Sequence, residues 1–329
     1  MPETARLPAP DTPQPPPRVD PAEPSVMPPA AVLDLRTVRV LDDAVEDVLS
    51  LPNGLAWTQD GEVWRYAFDD PKPERIAKFC DPHSLTTNGN EIGWLGCETN
   101  AVYDLMTDQL RSLPPVGPPP QAKALAFAGD TLVAANHTGL LWKYVDGTPE
   151  KLYMHVPGTW TWKSGGLAGG GGFLFAAALD GPQQERLGRV VLLPRPNLTE
   201  LDLGRAKSQS GWAANERGDV LFVDARGGAV WVVPHADDKA RRALQQKSVE
   251  AACWCDSDIC TLAASTVTRH TRRARIEIEV PQIDQAASYS CGFGRLVVEH
   301  DRNMVSSFAL PLRKELDPPK TTPSTPRPR

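Results

Sequence analysis

The sequence contains no apolar run that could cross a membrane as a helix. Nowhere in its 329 residues does an apolar stretch approach the roughly 18–20 residues that a bilayer requires. The first residues, MPETARLPAPDTPQ, also lack the positively charged start and apolar core of a signal peptide. We therefore expect no transmembrane segment, and either a cytoplasmic protein or one whose export signal has been removed.

An excess of positive charge is also absent. The formal net charge is −6 and the pI is near 5.6, which argues against nucleic acid as the main partner. The hydrophobic content of 41% is enough to build the core of one large domain or of two ordinary ones.

Catalytic motifs are missing as well. The sequence has no Gly-x-Ser-x-Gly, no His-Glu-x-x-His and no Cys-x-x-Cys, which are common patterns of nucleophiles, zinc sites and redox centres. The run Gly169–Gly172 is not followed by the Gly-Lys-Ser/Thr of a phosphate loop. No nucleophile and no cofactor is predicted, so the sequence says more about the fold than about a reaction.

Proline, by contrast, is abundant near both ends. Residues 1–31 include 11 prolines, and residues 313–329 have a similar composition. Such segments cannot build a core and favour extended, partly polyproline II structure. We therefore predict disordered proline-rich tails at 1–31 and 313–329 around one folded domain at 32–312.

Within that domain, the stretch Lys123–His155 predicts four short strands. Three turn signals, Gly129–Asp130, Asn136–Gly139 and Asp146–Gly147, separate segments of strand length. A single antiparallel sheet of four strands cannot bury both of its faces, so it needs neighbours like itself.

Similar units recur along the chain. The first turns of seven units are spaced 35, 40, 42, 47, 39 and 37 residues apart, close to the period of propeller blades. These turns fall near Gly54, Gly89, Gly129, Gly171, Gly218, Ser257 and Gly294. The predicted third strands of five units are alike: EVWRYAF, AVYDLM, LLWKYV, RVVLLP and AVWVVP.

This pattern resembles the degenerate repeats of the β-propeller superfamily. NHTGLLWKY is similar to the Thr-Gly…Trp stretch of quinoprotein-like repeats, and PNGLAWTQDG resembles lactonase-type propellers, each over about one unit. WD dipeptides, kelch-type Gly-Gly sets and Asp-boxes are absent, so no specific family is indicated. The resemblance implies an all-β propeller over residues 32–312, with seven four-stranded blades or, as the alternative, six.

The two ends of the domain would complete the ring. The seventh unit lacks a fourth strand after Met304–Leu310, whereas Val32–Leu41 alternates apolar and polar residues as a half-buried strand does. If these segments pair, no open sheet edge is left within the ring. We predict this pairing.

Candidate binding residues follow from the implied fold. In a propeller, the links from fourth to first strand and from second to third strand share one face, here called the loop face, where ligands usually bind. The loops predicted on this face carry Trp160, Trp162, His83, Arg226, Asn136 and His137. Exposed tryptophans often anchor ligands, although either of this pair could instead cap the core.

A loose acidic ring is a further candidate on the loop face. The ends of second strands supply Glu98, Asn136, Asp180, Asp224 and Glu299. A metal site needs three or four such groups at one point, and Asp and Asn are also favoured turn residues. We therefore predict no metal and keep Glu98, Asp180 and Asp224 only as weak candidates.

Cysteine usage favours disulfides. The six cysteines are Cys80, Cys97, Cys253, Cys255, Cys260 and Cys291. Cys255 and Cys260 flank a turn predicted at Ser257–Asp258, which would set them opposite each other. Cys253 and Cys291 could link adjacent blades, and Cys80 and Cys97 could pair on the loop face. A zinc site or buried free thiols are the alternatives. Disulfides would favour an oxidising, extracytoplasmic compartment.

Three functional hypotheses remain. The leading one is a non-catalytic binding or scaffold module, exported or tethered to a bacterial surface, that holds a protein, peptide or glycan on the loop face. The second is a metal-dependent hydrolase or lactonase of the propeller kind. The third is a cytoplasmic interaction platform with reduced thiols. The sequence does not specify an oligomeric state.

Overall fold

A computed structural model describes residues 25–26, 36–39, 45–70, 72–116, 122–136, 140–156, 160–170, 173–180, 184–192, 195–204, 209–224, 228–246, 248–255, 257–263, 265–271, 275–279, 288–300 and 304–310. The regular elements within these ranges are β-strands, arranged in seven sheets. Over the same ranges, no helix has the length and apolar character needed to span a membrane.

Each sheet is one blade, built from antiparallel neighbours. Two strands precede the first blade, β1 (Ser25–Val26) and β2 (Arg36–Arg39). Blade one has β3 (Val45–Leu51), β4 (Gly54–Gln59), β5 (Glu62–Ala67) and β6 (Glu74–Lys78). Blade two has β7 (His83–Thr87), β8 (Glu91–Leu95), β9 (Asn100–Asp104) and β10 (Gln109–Leu113). Blade three has β11 (Ala122–Ala128), β12 (Thr131–Asn136), β13 (Leu141–Val145) and β14 (Thr148–Leu152).

Blades four to seven continue the same order. Blade four has β15 (Trp160–Gly170), β16 (Phe173–Asp180), β17 (Gln184–Val191) and β18 (Asn197–Leu201), and blade five has β19 (Gln209–Ala214), β20 (Val220–Asp224), β21 (Ala229–Val233) and β22 (Arg241–Gln245). Blade six has β23 (Ala251–Cys255), β24 (Asp258–Ala263), β25 (Thr266–His270) and β26 (Arg275–Glu279), and blade seven begins with β27 (Ser288–Gly292), β28 (Arg295–His300) and β29 (Met304–Ala309).

Local turn chemistry explains many of the strand boundaries. Between β4 and β5, Asp60 and Gly61 have φ angles of 49° and 70°, and between β13 and β14, Asp146 and Gly147 have φ angles of 49° and 78°. Two successive residues with positive φ form the tight turn whose twist matches that of the flanking strands. The Asp-Gly pairs in the sequence therefore mark real hairpins.

The blades form a ring around a central channel. The first strand of each blade contacts the first strands of its neighbours, from β3 through β27 and back to β3. Seven clusters of buried apolar side chains lie among the described residues, and each spans two adjacent blades. The hydrophobic core is therefore distributed between the blades, where each sheet covers the face of the next. The prediction of seven blades is confirmed, and the six-bladed alternative is wrong.

The N-terminal strand closes this ring as predicted. Strand β2 pairs antiparallel with β29, with Val38 opposite Val305. Val38 is 5% exposed and packs with apolar residues of blade one, and the hydroxyl groups of Thr37 and Ser306 hydrogen-bond at 2.9 Å. Within the described residues, the strand covers Arg36–Arg39 of the predicted Val32–Leu41.

One segment of the predicted N-terminal tail also pairs with the domain. Ser25 and Val26 lie parallel to Ile276 and Glu277 of β26, which makes blade six a five-stranded sheet. This pairing covers the outer edge of blade six. The remainder of the predicted tail at 1–31, and the predicted tail at 313–329, lie outside the described residues.

Candidate functional site

The mouth of the channel on the loop face is the irregular part of the ring. In five of the seven blades, the pairing register between the first and second strands shifts near the N-terminal end of the first strand, which lies on this face. The shifts lie between Val45 and Asp47, His83 and Thr86, Ala122 and Ala124, Trp162 and Leu167, and Ser210 and Ala213. The first strands of blades six and seven pair without a shift. Bulges bend a strand, re-aim its side chains and are common beside functional sites.

Asp47 lies at the first of these bulges. Its Oδ2 accepts a hydrogen bond from the backbone N–H of Leu85 in blade two at 2.8 Å, and its Oδ1 accepts one from the N–H of Val48 at 3.0 Å. Burial raises the pKa of the carboxyl group to about 6, although the backbone donors and nearby His83 favour the charged form. A carboxyl group that titrates near neutral pH at a channel mouth is a functional candidate.

The chain next to Asp47 adopts an unusual backbone conformation. Asp81 and Ser84 have φ angles of 49° and 56°, in the left-handed region that is costly for residues other than glycine. Nδ1 of His83 donates a hydrogen bond to the carbonyl oxygen of Asp81 at 2.8 Å. His83, a predicted binding residue, is thus the first residue of β7 and lies at the channel mouth.

A disulfide between Cys80 and Cys97 borders the same segment. Cys80 precedes β7 and Cys97 follows β8, their Cα atoms are 5.3 Å apart, and both residues are exposed. The backbone N–H of Cys97 donates to the carbonyl oxygen of Cys80 at 2.9 Å. The disulfide therefore links the two loop-face connections of blade two.

Of the other two disulfides, one links blades six and seven, and the other lies within blade six. Cys253 pairs with Cys291 across the two blades, and Cys255 pairs with Cys260 within blade six. The predicted register of the second pair is wrong, because β24 starts at Asp258 and the turn falls one residue earlier. Cys260 is therefore opposite Cys253, and its bond to Cys255 runs diagonally across the hairpin.

Blade four extends further on the loop face than the other blades. Trp160 and Trp162 were expected in a loop, and this is wrong: β15 begins at Trp160, and residues 160–162 pair with 178–180. Residues 178–180 pair in turn with 184–186. The pairing of β17 with the fourth strand, β18, stops at Leu187, which lies opposite Leu201, so residues 184–186 extend beyond the four-stranded part of the blade. We call these three short segments the blade-four extension. Trp160 and Trp162 are two positions apart and so belong to the same face of the sheet.

Asn136 has a structural role at the end of β12. It is fully buried, and its Oδ1 accepts a hydrogen bond from the N–H of Leu140 at 3.1 Å, which closes the connection to β13. Asp224 likewise ends a strand, and its carbonyl oxygen accepts the N–H of Gly228 at 3.1 Å. The binding candidates His137 and Arg226 lie outside the described residues.

The acidic ring does not assemble into a metal site among the described side chains. Glu98 is exposed, whereas Glu299 is 6% exposed and burial raises its pKa. The side chain of Asp180 lies outside the described residues. Where side chains are described, no group of three or more His, Cys, Asp or Glu could hold a metal ion.

Asp47 is the candidate residue that sequence reasoning missed. It sits in VEDVLS, where it shares a strand face with the apolar residues Val45 and Leu49. The raised pKa depends on packing against blade two. There the carboxylate accepts a hydrogen bond from the N–H of Leu85, which lies 38 residues further along the chain. A carboxylate within the first strand of a blade is a signal that could have drawn attention to it, since this strand lines the channel.

Solved structures with the same architecture support the fold assignment. A virginiamycin B lyase from Staphylococcus aureus superposes with a TM-score of 0.61 at 12% identity, covering 84% of this chain and 99% of that one. The WD40 repeats of RRP9 give 0.60 at 14% identity, covering 86% and 99%. YCF48 bound to D1 peptide gives 0.62 at 8% identity, covering 84% and 97%.

The chain is a seven-bladed β-propeller. At these low identities the likeness is to the fold alone. No protein-family model matches the chain, and no curated protein matches it. The functional argument therefore depends on this chain's own residues.

Proposed function

We propose that this propeller is a non-catalytic binding module that holds an extended peptide segment of a partner protein on its loop face. The observation that carries the proposal is the blade-four extension, which adds three rungs of backbone pairing beyond the regular blade. Trp160 and Trp162 are alternate residues of its first segment.

The edges of the extension suit a peptide in the strand conformation. Residues 160–162 pair with 178–180 on one side, and no strand of the described ranges pairs with their other side. A strand edge of this kind offers backbone N–H and C=O groups to an added strand. Tryptophan side chains next to such an edge would supply apolar contact area for alternate peptide residues.

The similar structures are consistent with this proposal. YCF48 was solved with a D1 peptide bound, so a protein of similar fold can bind a peptide. Three disulfides in one chain are expected in an oxidising compartment, which supports export from the cytoplasm. We therefore propose an extracytoplasmic partner, and the cytoplasmic platform becomes the alternative.

Selection from a random displayed peptide library would test the proposal. Purified protein should select peptides, and the affinity of a selected peptide should fall about tenfold or more in a Trp160→Ala/Trp162→Ala variant, because aromatic anchors each contribute about 1–2 kcal/mol or more. Phe293→Ala is the matched control: Phe293 is 47% exposed at the β27–β28 turn on the opposite face. Binding that depends on Phe293, or a library that yields no peptide, would refute the proposal.

A second candidate function is acid–base chemistry at the channel mouth. Asp47 and His83 are brought together there, and a carboxyl group with a pKa of about 6 can exchange a proton near neutral pH. One of the similar structures is a lyase. An activity found in a hydrolase and lyase substrate screen, and lost in Asp47→Asn but retained in Glu46→Gln, would favour this function over peptide binding.

A further inference from the structure

The three disulfides differ in solvent exposure. Cys80 and Cys97 are both exposed. Cys253, Cys255 and Cys260 are 0%, 2% and 1% exposed, and Cys291 is half-buried. A soluble thiol can approach the first pair in the folded protein, whereas the other two become accessible only when blades six and seven open.

Other interactions would hold blade two together without the Cys80–Cys97 bond. The N–H of Cys97 donates to the carbonyl oxygen of Cys80, β7 and β8 remain paired, and the ring of Phe79 packs edge-on against Trp94 at 5.6 Å. Trp94 is fully buried in the cluster between blades one and two. Loss of the disulfide is therefore expected to be local and reversible.

The segment that the disulfide restrains leads directly to the channel mouth. Asp81 and Ser84, both in the left-handed conformation, connect Cys80 to the N–H of Leu85 that binds Asp47. Residues in such conformations persist only where the surrounding structure enforces them. Release of Cys80 removes one of the restraints on this short connection.

We propose that Cys80–Cys97 is a thiol–disulfide exchange site for a dithiol reductant, and that its redox state controls the conformation of the Asp81–Leu85 bulge. One thiolate of the reductant attacks a sulfur of the disulfide, forming a mixed disulfide and releasing the other cysteine as a thiolate. The second thiol of the reductant then displaces the bound cysteine. The products are two protein thiols and the oxidised, cyclic reductant, so two electrons and two protons pass to the protein.

Stepwise reduction under native conditions tests the first part of the proposal. The protein is treated with dithiothreitol, alkylated with iodoacetamide at intervals and mapped by peptide mass spectrometry. Cys80 and Cys97 should be labelled at least about tenfold faster than the other four, because even 1.4 kcal/mol of local opening slows a buried pair tenfold. Labelling of all six cysteines together, or of Cys253 and Cys291 first, would overturn the proposal.

Hydrogen exchange tests the link to the bulge. After selective reduction, the amide of Leu85 should exchange at least about tenfold faster, while amides of Val220–Asp224 in blade five stay unchanged. A Cys80→Ser/Cys97→Ser variant should reproduce this exchange pattern, and a Cys255→Ser/Cys260→Ser variant should not. Unchanged protection at Leu85 in the reduced wild-type protein would refute control of the bulge, even if a variant fails to fold.

Discussion

Replacement of Asp47 by Asn should change how the stability of the propeller depends on pH. The pKa of Asp47 is raised from 3.8 to about 6 by burial. Because the folded pKa lies above the unfolded one, the folded state binds an additional proton between these values. The contribution of this group to stability is therefore fully present below about pH 4 and is lost as pH rises through about 6. A shift of about two units corresponds to about 3 kcal/mol.

The measurement is urea unfolding of the wild type and Asp47→Asn at pH 4, 5, 6 and 7 without reductant. The free energy of unfolding of the variant, relative to the wild type, should increase by about 2 kcal/mol from pH 4 to pH 7, because Asn has no charge to bury and because more than half of the unfolded carboxyl groups are already ionised at pH 4. The control is Glu46→Gln, which removes the same charge from the exposed neighbouring residue. If the difference between Asp47→Asn and the wild type stays constant over this range, the assignment of a half-buried, titrating Asp47 is wrong.

Two further predictions concern the interior of the blades. Asp258→Ala should lower the free energy of unfolding by about 3–5 kcal/mol, since Arg269 is 0% exposed and its Nη2 lies 2.8 Å from Oδ2 of Asp258. The control is Glu150→Ala, which breaks an exposed ion pair with Lys143 and should lower the free energy of unfolding by about 1 kcal/mol or less. Phe222→Ala should cost about 3–5 kcal/mol, because Phe222 is fully buried between blades four and five and its ring centroid is 4.8 Å from that of Trp212. Urea unfolding measures both. A loss below 1 kcal/mol for either buried-site variant would contradict the packing described.

Much of the strand order could be predicted because it depends on local signals. The turns predicted at Gly129–Asp130 and Asp146–Gly147 lie between β11 and β12 and between β13 and β14. Each turn separates two short segments of strand length. The ring closure was also predictable, since one end of the domain lacked a strand and the other had a spare one.

Blade four shows where local signals were insufficient. Its first strand contains KSGGLAGG, and glycine weakens the strand pattern. The loop predicted to carry Trp160 and Trp162 is instead the start of β15. The glycines are consistent with the irregular register between Trp162 and Leu167, where one strand needs extra residues.

The candidate site was predicted only in part for a different physical reason. His83 was assigned to the loop face because of its position between two strands. Asp47 and the bulge at Ser84 depend on contacts between blades, which no pattern within one blade specifies. The pairing partners of the cysteines were predictable at the level of blades, but the register of Cys255 and Cys260 required the position of the turn.

Engineered cross-linking of the closing strand tests the central claim most directly, because the loop face and its residues are defined only if the ring closes as described. Thr37 lies opposite Ser306, and their hydroxyl groups are 2.9 Å apart. A Thr37→Cys/Ser306→Cys variant should form a 37–306 disulfide under mild oxidation, detectable by peptide mapping. Thr37→Cys/Ser307→Cys should not, because alternate residues of a strand point to opposite faces. Absence of the 37–306 link, or equal yields in both variants, would contradict the closed seven-bladed ring.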